Sequence, residues 1–366
     1  MWLFLGGLLK SLKNHFEELL LDTAKWRYYD ELEKKNIEEI LKKPKDFITS
    51  YLKAAGKLPP EEINTIIENI NYERLQHTVS IFFLGLIFYN KSNKIKSEID
   101  KYLEVTKKEI KSEKFNVNHN FIYWWFLTCF IHDIGYAYKK NQKLKLFGTK
   151  ENYKIESKVF EELKKITEFV NNSVPIQIVN NWEKYSYFRK EKPNNRINHG
   201  FLAGAYFIYM LNNIYNNNKQ FRNEEAFIDD SKLFWSQKML DKVHKPIAWI
   251  IVAHNVWYKN RNYGNVEEYE KANLENLIID EPIVKLDKYP LYFLLCLVDS
   301  IDPVKYMNEK NETNILSILN NTILLIKKNG NIKIKFINDL QKYNIEYKDI
   351  LFSLAEWLDL EFEIII

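Results

Sequence analysis

The feature that most limits what this chain can become is its apolar periodicity. Long stretches repeat apolar residues at three- and four-residue spacing, with only 10 Gly and 9 Pro in 366 residues to interrupt them. That spacing stripes one face of a helix and predicts a mainly α chain. Helices are expected over 8–22, 24–43, 60–70, 72–90, 94–111, 119–132, 153–171, 199–217, 231–241, 245–257, 265–277, 288–300 and 312–322. The tail reads differently: TILLIKKNGNIKIKF alternates on either side of Asn329-Gly330, a pair suited to a tight hairpin turn. A helix around 346–358 and the apolar LEFEIII follow, which predicts a small β-β-α-β appendix.

Composition excludes several classes. With 46% hydrophobic and 28% charged residues the chain can bury a large core, so neither a disordered tail nor a peptide-sized scaffold is expected. A net charge of +4 suits a protein that handles phosphorylated ligands and falls short of a dedicated nucleic-acid binder. Cys129 and Cys296 sit inside apolar runs, where a thiol acts as a small hydrophobe. So few cysteines fit a reducing, cytoplasmic setting. The opening MWLFLGGLLK has no basic start and is too short to span a bilayer, so it is read as the beginning of a core helix and no membrane partner is expected. No P-loop, dinucleotide fingerprint, nucleophile elbow or HExxH string is present.

Polar residues that interrupt the apolar runs are the candidates for chemistry. His77 lies in ERLQHTVSIFFLGLIF, His132-Asp133 in FLTCFIHDIGY, His199 in RINHGFLAGAYFIY, His254 in PIAWIIVAHNVW and Asp299 in YPLYFLLCLVDSIDP. Taken singly, each histidine reads as a hydrogen-bonded core residue and Asp299 as a helix cap. Taken together they form the order His, His-Asp, His, His, Asp on separate helices, which side-by-side packing can bring to one point. His15, His119 and His244 read as surface or capping residues.

With His77, the HDIGY doublet and Asp299 within LVDSID, the chain resembles the HD superfamily of metal-dependent phosphohydrolases over roughly residues 70 to 303. The resemblance implies an HD-type helical bundle over 70–303 with an insertion at 136–198, between a helical extension at 1–69 and an appendix at 304–366. It implies that His77, His132, Asp133 and Asp299 hold one divalent ion, while Asp133, His199 and His254 hold a second, with Asp133 as the bridge. Turnover would then rest on Asp133, His199 and His254. The ion could be Mn, Fe, Mg, Ni, Co or Zn, since imidazole and carboxylate suit borderline and hard cations. Two such ions would acidify a shared water, so the implied reaction is hydrolysis of a phosphoester by a metal-activated hydroxide. Tyr136 departs from the family pattern, standing where many members carry Lys or His.

Substrate contacts are expected from Arg74, three residues before His77, and Arg196, three before His199, whose guanidinium groups could grip phosphate. For each, an ordinary surface ion pair is the competing reading. Two basic, aromatic segments, EKYSYFRKEKPNNR at 183–196 and WYKNRNY at 257–263, read either as solvated loops or as places where a base stacks, the first as a lid. A nucleotide or cyclic nucleotide is therefore the expected substrate. The competing functions are an HD-type nuclease on single-stranded nucleic acid, an HD-fold di-iron oxygenase and a metal-stabilised binding module.

Overall fold

A computed structural model of the chain describes residues 10–27, 35–55, 60–110, 121–140, 147, 152–170, 172–190, 198–217, 226–228, 233–235, 237–312, 314–326, 332–359 and 364–365. The elements described in the first half are all helices: α1 (Leu12–Leu21), α2 (Ile37–Lys42), α3 (Pro44–Ala55), α4 (Pro60–Glu68), α5 (Tyr72–Lys91), α6 (Asn93–Ile110), α7 (Phe121–His132), α8 (Gly135–Lys140), α9 (Asn152–Lys165) and α10 (Ile176–Lys190). Then come α11 (His199–Asn217), the hairpin β1 (Ala226–Ile228) and β2 (Leu233–Trp235), α12 (Gln237–Met239), α13 (Lys245–Ala253), β3 (Lys259–Asn260), α14 (Glu267–Lys271) and β4 (Ile278–Ile279). The chain closes with α15 (Pro290–Ile301), α16 (Pro303–Glu309), α17 (Ile315–Asn321), β5 (Thr322–Ile326), β6 (Ile332–Phe336), α18 (Asn344–Ala355) and β7 (Ile364–Ile365).

Burial explains the layering. α7, FIYWWFLTCFIH, is buried at every residue, and so is α13, KPIAWIIVA. A helix apolar all round belongs inside a bundle. α5 joins them, starting at an Asn71 cap and buried from Leu75 through Phe88. α11 packs on α7 and α13, and α15 packs on α5, α7 and α13. The striped helices cover this centre: α6 buries Ile95, Ile99, Leu103, Thr106 and Ile110, one face of its surface, against α5. Cys129 and Cys296 are free thiols inside the core. No described helix is long and apolar enough to cross a membrane.

The tail forms the expected β-β-α-β unit. β5 and β6 pair antiparallel, Thr322 opposite Phe336, and β7 joins β6 in parallel, Ile332 opposite Ile364. The turn at Asn329-Gly330 lies outside the described residues. α18 packs on α15, with the Tyr347 hydroxyl donating to the Ile301 carbonyl. The outer edge of β5 is met by the start of the chain: Leu324 N–H donates to the Lys10 carbonyl at 3.2 Å, and Ser11 bridges Ile323.

Several expectations need correction. α3, α8, α10 and α16 form where no helix was expected, and over the expected 24–43 helix Trp26, Arg27, Lys35 and Asn36 are not helical, α2 starting only at Ile37 from its Asn36 cap. The expected helix over 231–241 is interrupted: Leu233–Trp235 is a strand and α12 is short. The expected helix over 265–277 breaks after Lys271, where Asn273 takes a positive φ of 54°. His15 is buried, not exposed: Nε2–H donates to the Leu324 carbonyl at 2.7 Å and Nδ1 accepts from Lys91 Nζ at 2.6 Å. His244 is buried too, sharing a 2.9 Å hydrogen bond with the Tyr123 hydroxyl. It ends a π-helical stretch, Leu240–His244, that runs into α13. Pro246 has no N–H for the preceding turn, and a widened turn makes room for its ring, so what reads as a turn in the sequence is a continuous helix. His119 and the segment 1–9 lie outside the described residues.

Candidate metal centre

Five helices meet at one point because their polar interruptions fall where their ends converge. α5 carries Arg74 and His77 one turn apart, α7 ends at His132, and Asp133 begins the turn that follows. α11 starts at His199, with Asn198 Oδ1 accepting the Gly200 N–H at 2.9 Å. α13 ends on His254, and Asp299 sits in the last turn of α15. Gly135 permits the convergence: a Cβ there would fall 2.0 Å from the His199 carbonyl oxygen. Gly200 does the same on the other side, where a Cβ would lie 2.5 Å from Asn255 Nδ2.

The inner half of the site is built from charge. His77 Nδ1 is 2.7 Å from Asp302 Oδ2 and its Nε2 is 2.9 Å from Asp299 Oδ1. Asp302 is held in turn by the Ser80 hydroxyl at 2.6 Å and by the backbone N–H groups of Val304 and Lys305, which it caps. Asp299 Oδ1 also accepts from Lys305 Nζ at 2.9 Å. Burial pulls the His77 pKa down, but the hydrogen bonds to Asp299 and Asp302 outweigh it and leave it raised. Burial likewise opposes the charge of Asp299, and Lys305 and His77 overcome it, holding the carboxyl well below the usual range. Asp133 behaves the same way under the influence of His132, His199 and Arg74.

The outer half is more neutral. His199 Nε2 is 3.5 Å from Asp133 Oδ1, and Asn255 Nδ2 reaches both His199 Nε2 and His254 Nε2. Burial lowers the His254 pKa to about 4, and lowers that of His132 as well.

These residues fit a divalent cation. His132 Nδ1–H donates to the Cys129 carbonyl at 2.6 Å and His254 Nδ1–H donates to the Ile251 carbonyl, so both rings turn Nε2 inward. A backbone or carboxylate partner on the far nitrogen is how metal-ligating histidines are held. His132 Nε2 and Asp133 Oδ2 are buried with no hydrogen-bond partner, which is costly unless a further group completes them. His77, His132 and Asp133 bring ligand atoms within 4.8 Å of one another, and so do Asp133, His199 and His254. Asp133 belongs to both groups. Asp299 Oδ1 is 2.9 Å from His77 Nε2 and 3.9 Å from His132 Nε2, beside the inner group.

The centre opens on a cleft of about 670 Å³. Arg74 leans over the Tyr136 ring at 4.4 Å, 3.8 Å from Asp133 Oδ2, and Tyr136 in turn stacks on His199 at 4.0 Å. Among the described residues, Arg189 and Lys305 are the other cations lining the cleft. Trp257 also lines it, 60% exposed, with its N–H donated to the Tyr185 hydroxyl at 3.3 Å and its carbonyl accepting from the Tyr269 hydroxyl at 2.8 Å. Both basic aromatic segments therefore contribute a residue, but 183–190 is the end of α10 rather than a loop. Arg196 lies outside the described residues. Sequence reading passed over Lys305, Asp302 as the partner of His77, and Asn255. Asp-Pro at 302–303 is a helix-start signal that would have placed the first two on a new helix. No family model, curated protein or solved structure matches the chain.

Proposed function

We propose that this chain is an HD-type, metal-dependent phosphohydrolase that cleaves a phosphoester, its preferred substrate a nucleotide or cyclic nucleotide. The observation that carries this reading is that two His/Asp groups sharing Asp133 open on a cleft lined by Arg74, Arg189 and Lys305. His77, His132, Asp133 and Asp299 would hold one divalent cation, and Asp133, His199 and His254 a second. Such cations supply an acidified water and stabilise charge on phosphoryl oxygens. The protein's part is to aim the imidazoles through the Cys129, Ile251 and Asp302 contacts, and to neutralise the substrate's phosphate with Arg74 and Lys305. Trp257, on its clamped backbone, offers a flat face to a base. The three cations of the cleft favour a phosphorylated substrate over the oxygenase reading. Free, buried thiols support a reducing, cytoplasmic setting.

The test is metal analysis of purified wild type and Asp133→Ala, with phosphate release measured on a nucleotide and phosphodiester panel with and without dioxygen. About two equivalents of metal, lost in the variant together with oxygen-independent release, is the expected result. Iron with dioxygen-dependent turnover and no phosphate release would replace it with the oxygenase, and a fragment ladder from a labelled single strand, absent in His132→Ala, with the nuclease.

A further inference from the structure

Among the described residues three fixed cations line the cleft, and two of them already face a carboxylate. Arg74 lies 3.8 Å from Asp133 Oδ2, and Lys305 Nζ is 2.9 Å from Asp299 Oδ1. Both belong to the metal centre, whose carboxyls they help to hold in the charged form. Arg189 stands apart from it. The residue is exposed, comes from the last turn of α10, a helix that carries no candidate ligand, and has no ion pair or hydrogen bond among the described residues.

The wall that presents Arg189 is well anchored. Phe188 packs on Tyr269 with ring centres 5.3 Å apart, and Tyr185 lies 6.4 Å from the same ring. The hydroxyls of these two tyrosines hold the Trp257 backbone, so the end of α10 and the exposed Trp257 ring are fixed to one another. The charge of Arg189 is felt at both hydroxyls, which places it beside this clamp. An uncommitted guanidinium next to an open aromatic face suits an anion carried by a stacked ring.

Charge gives the class of that anion. The described lining carries four carboxylates, Asp133, Asp299, Asp302 and Glu309, against the three cations. On the two-cation phosphohydrolase reading above, on which this inference rests, two divalent ions offset those carboxylates and leave all three cations to the substrate. One phosphomonoester brings a charge of about −2, which Arg74 and Lys305 beside the metals satisfy. We propose that Arg189 is the specificity-determining contact for a second phosphate, so that the preferred substrate is a nucleotide with two phosphate groups, one at the metal centre and one at the Trp257 wall.

The experiment is a calorimetric titration of the Mn²⁺-loaded full chain, wild type and Arg189→Ala, with hydrolysis-resistant phosphonate analogues of adenosine 5′-monophosphate, 5′-diphosphate and 3′,5′-bisphosphate. Thermal unfolding checks that the variant folds, and Arg189→Gln carries the same comparison if it does not. Wild type is expected to bind one of the doubly charged analogues about tenfold tighter than the monophosphate analogue, with that preference lost in Arg189→Ala and largely kept in Arg189→Lys. Which analogue gains tells whether the second phosphate extends the first or sits elsewhere on the ribose. A preference that survives in Arg189→Ala, or a variant that weakens all three analogues alike, would overturn the assignment. Equal binding of all three by wild type would overturn it as well. A wild type that binds none of them would take the nucleotide reading of the cleft down too, a failure distinct from that of Arg189 alone.

Discussion

The inner and outer halves of the centre present the same ligand chemistry by opposite means. His77 and His132 are 1% and 0% exposed and stand among Asp299, Asp302, Asp133 and Lys305, where His77, Asp299, Asp302 and Lys305 form a buried network of paired charges. His199 and His254 are 13% and 6% exposed, border the cleft, and meet a neutral amide and the Tyr136 ring. A buried charge is costly unless paired and hydrogen-bonded. The inner half is thus part of what holds the bundle together, whereas the outer half can change partners at small cost.

The largest test of this contrast is removal of one histidine from each half in the metal-free protein. His77→Ala takes the common partner from Asp299 and Asp302 and should cost about 3–5 kcal/mol in urea unfolding. His199→Ala should cost no more than about 1 kcal/mol. Equal losses would erase the distinction.

Acidity sharpens it next. His254 has its folded pKa lowered to about 4, so between the unfolded value near 6.5 and 4 the unfolded chain binds a proton that the folded chain refuses. Its contribution is present above 6.5 and falls away through that window, by about 3 kcal/mol at most. His77 runs the other way: with its folded pKa raised, its contribution is whole below 6.5 and is lost as pH rises through the folded value. Urea midpoints of metal-free protein across pH should show both slopes, and His254→Ala should flatten the acid one.

The smallest effect is expected from Asp302→Asn, which keeps the shape around His77 Nδ1 and removes the charge. Inner-seat affinity for Mn²⁺ should fall by about tenfold, with the outer seat unaffected. A loss at both seats would mean that the two halves are not independent.

The halves also differ in how well the sequence announced them. The His and Asp residues that cluster at the centre were legible, because a His or Asp inside a run such as FLTCFIHDIGY has to be answered by something. The central helices and the β-β-α-β tail were legible from periodicity for the same reason. Supporting residues were not: nothing local tells that Asp302 caps one helix and grips His77 on another, since that contact spans 225 positions. α10, with polar residues spread around its circumference, carries no strong stripe, and its second half, from Glu183, was read either as a solvated loop or as a lid where a base stacks. His15 looked like a surface residue for a related reason, its burial depending on Leu324 at the other end of the sequence.

That last contact bears on the order in which the molecule can be made. The strand edge that receives Lys10 and Ser11, and the carbonyl that receives His15, lie 309 positions and more downstream. A chain emerging from the ribosome exposes those groups to water until β5 has been synthesised. Closing so long a loop is entropically expensive and slow. The first helix is therefore expected to be among the last elements to gain protection from hydrogen exchange, and β5 to be sealed in the same event.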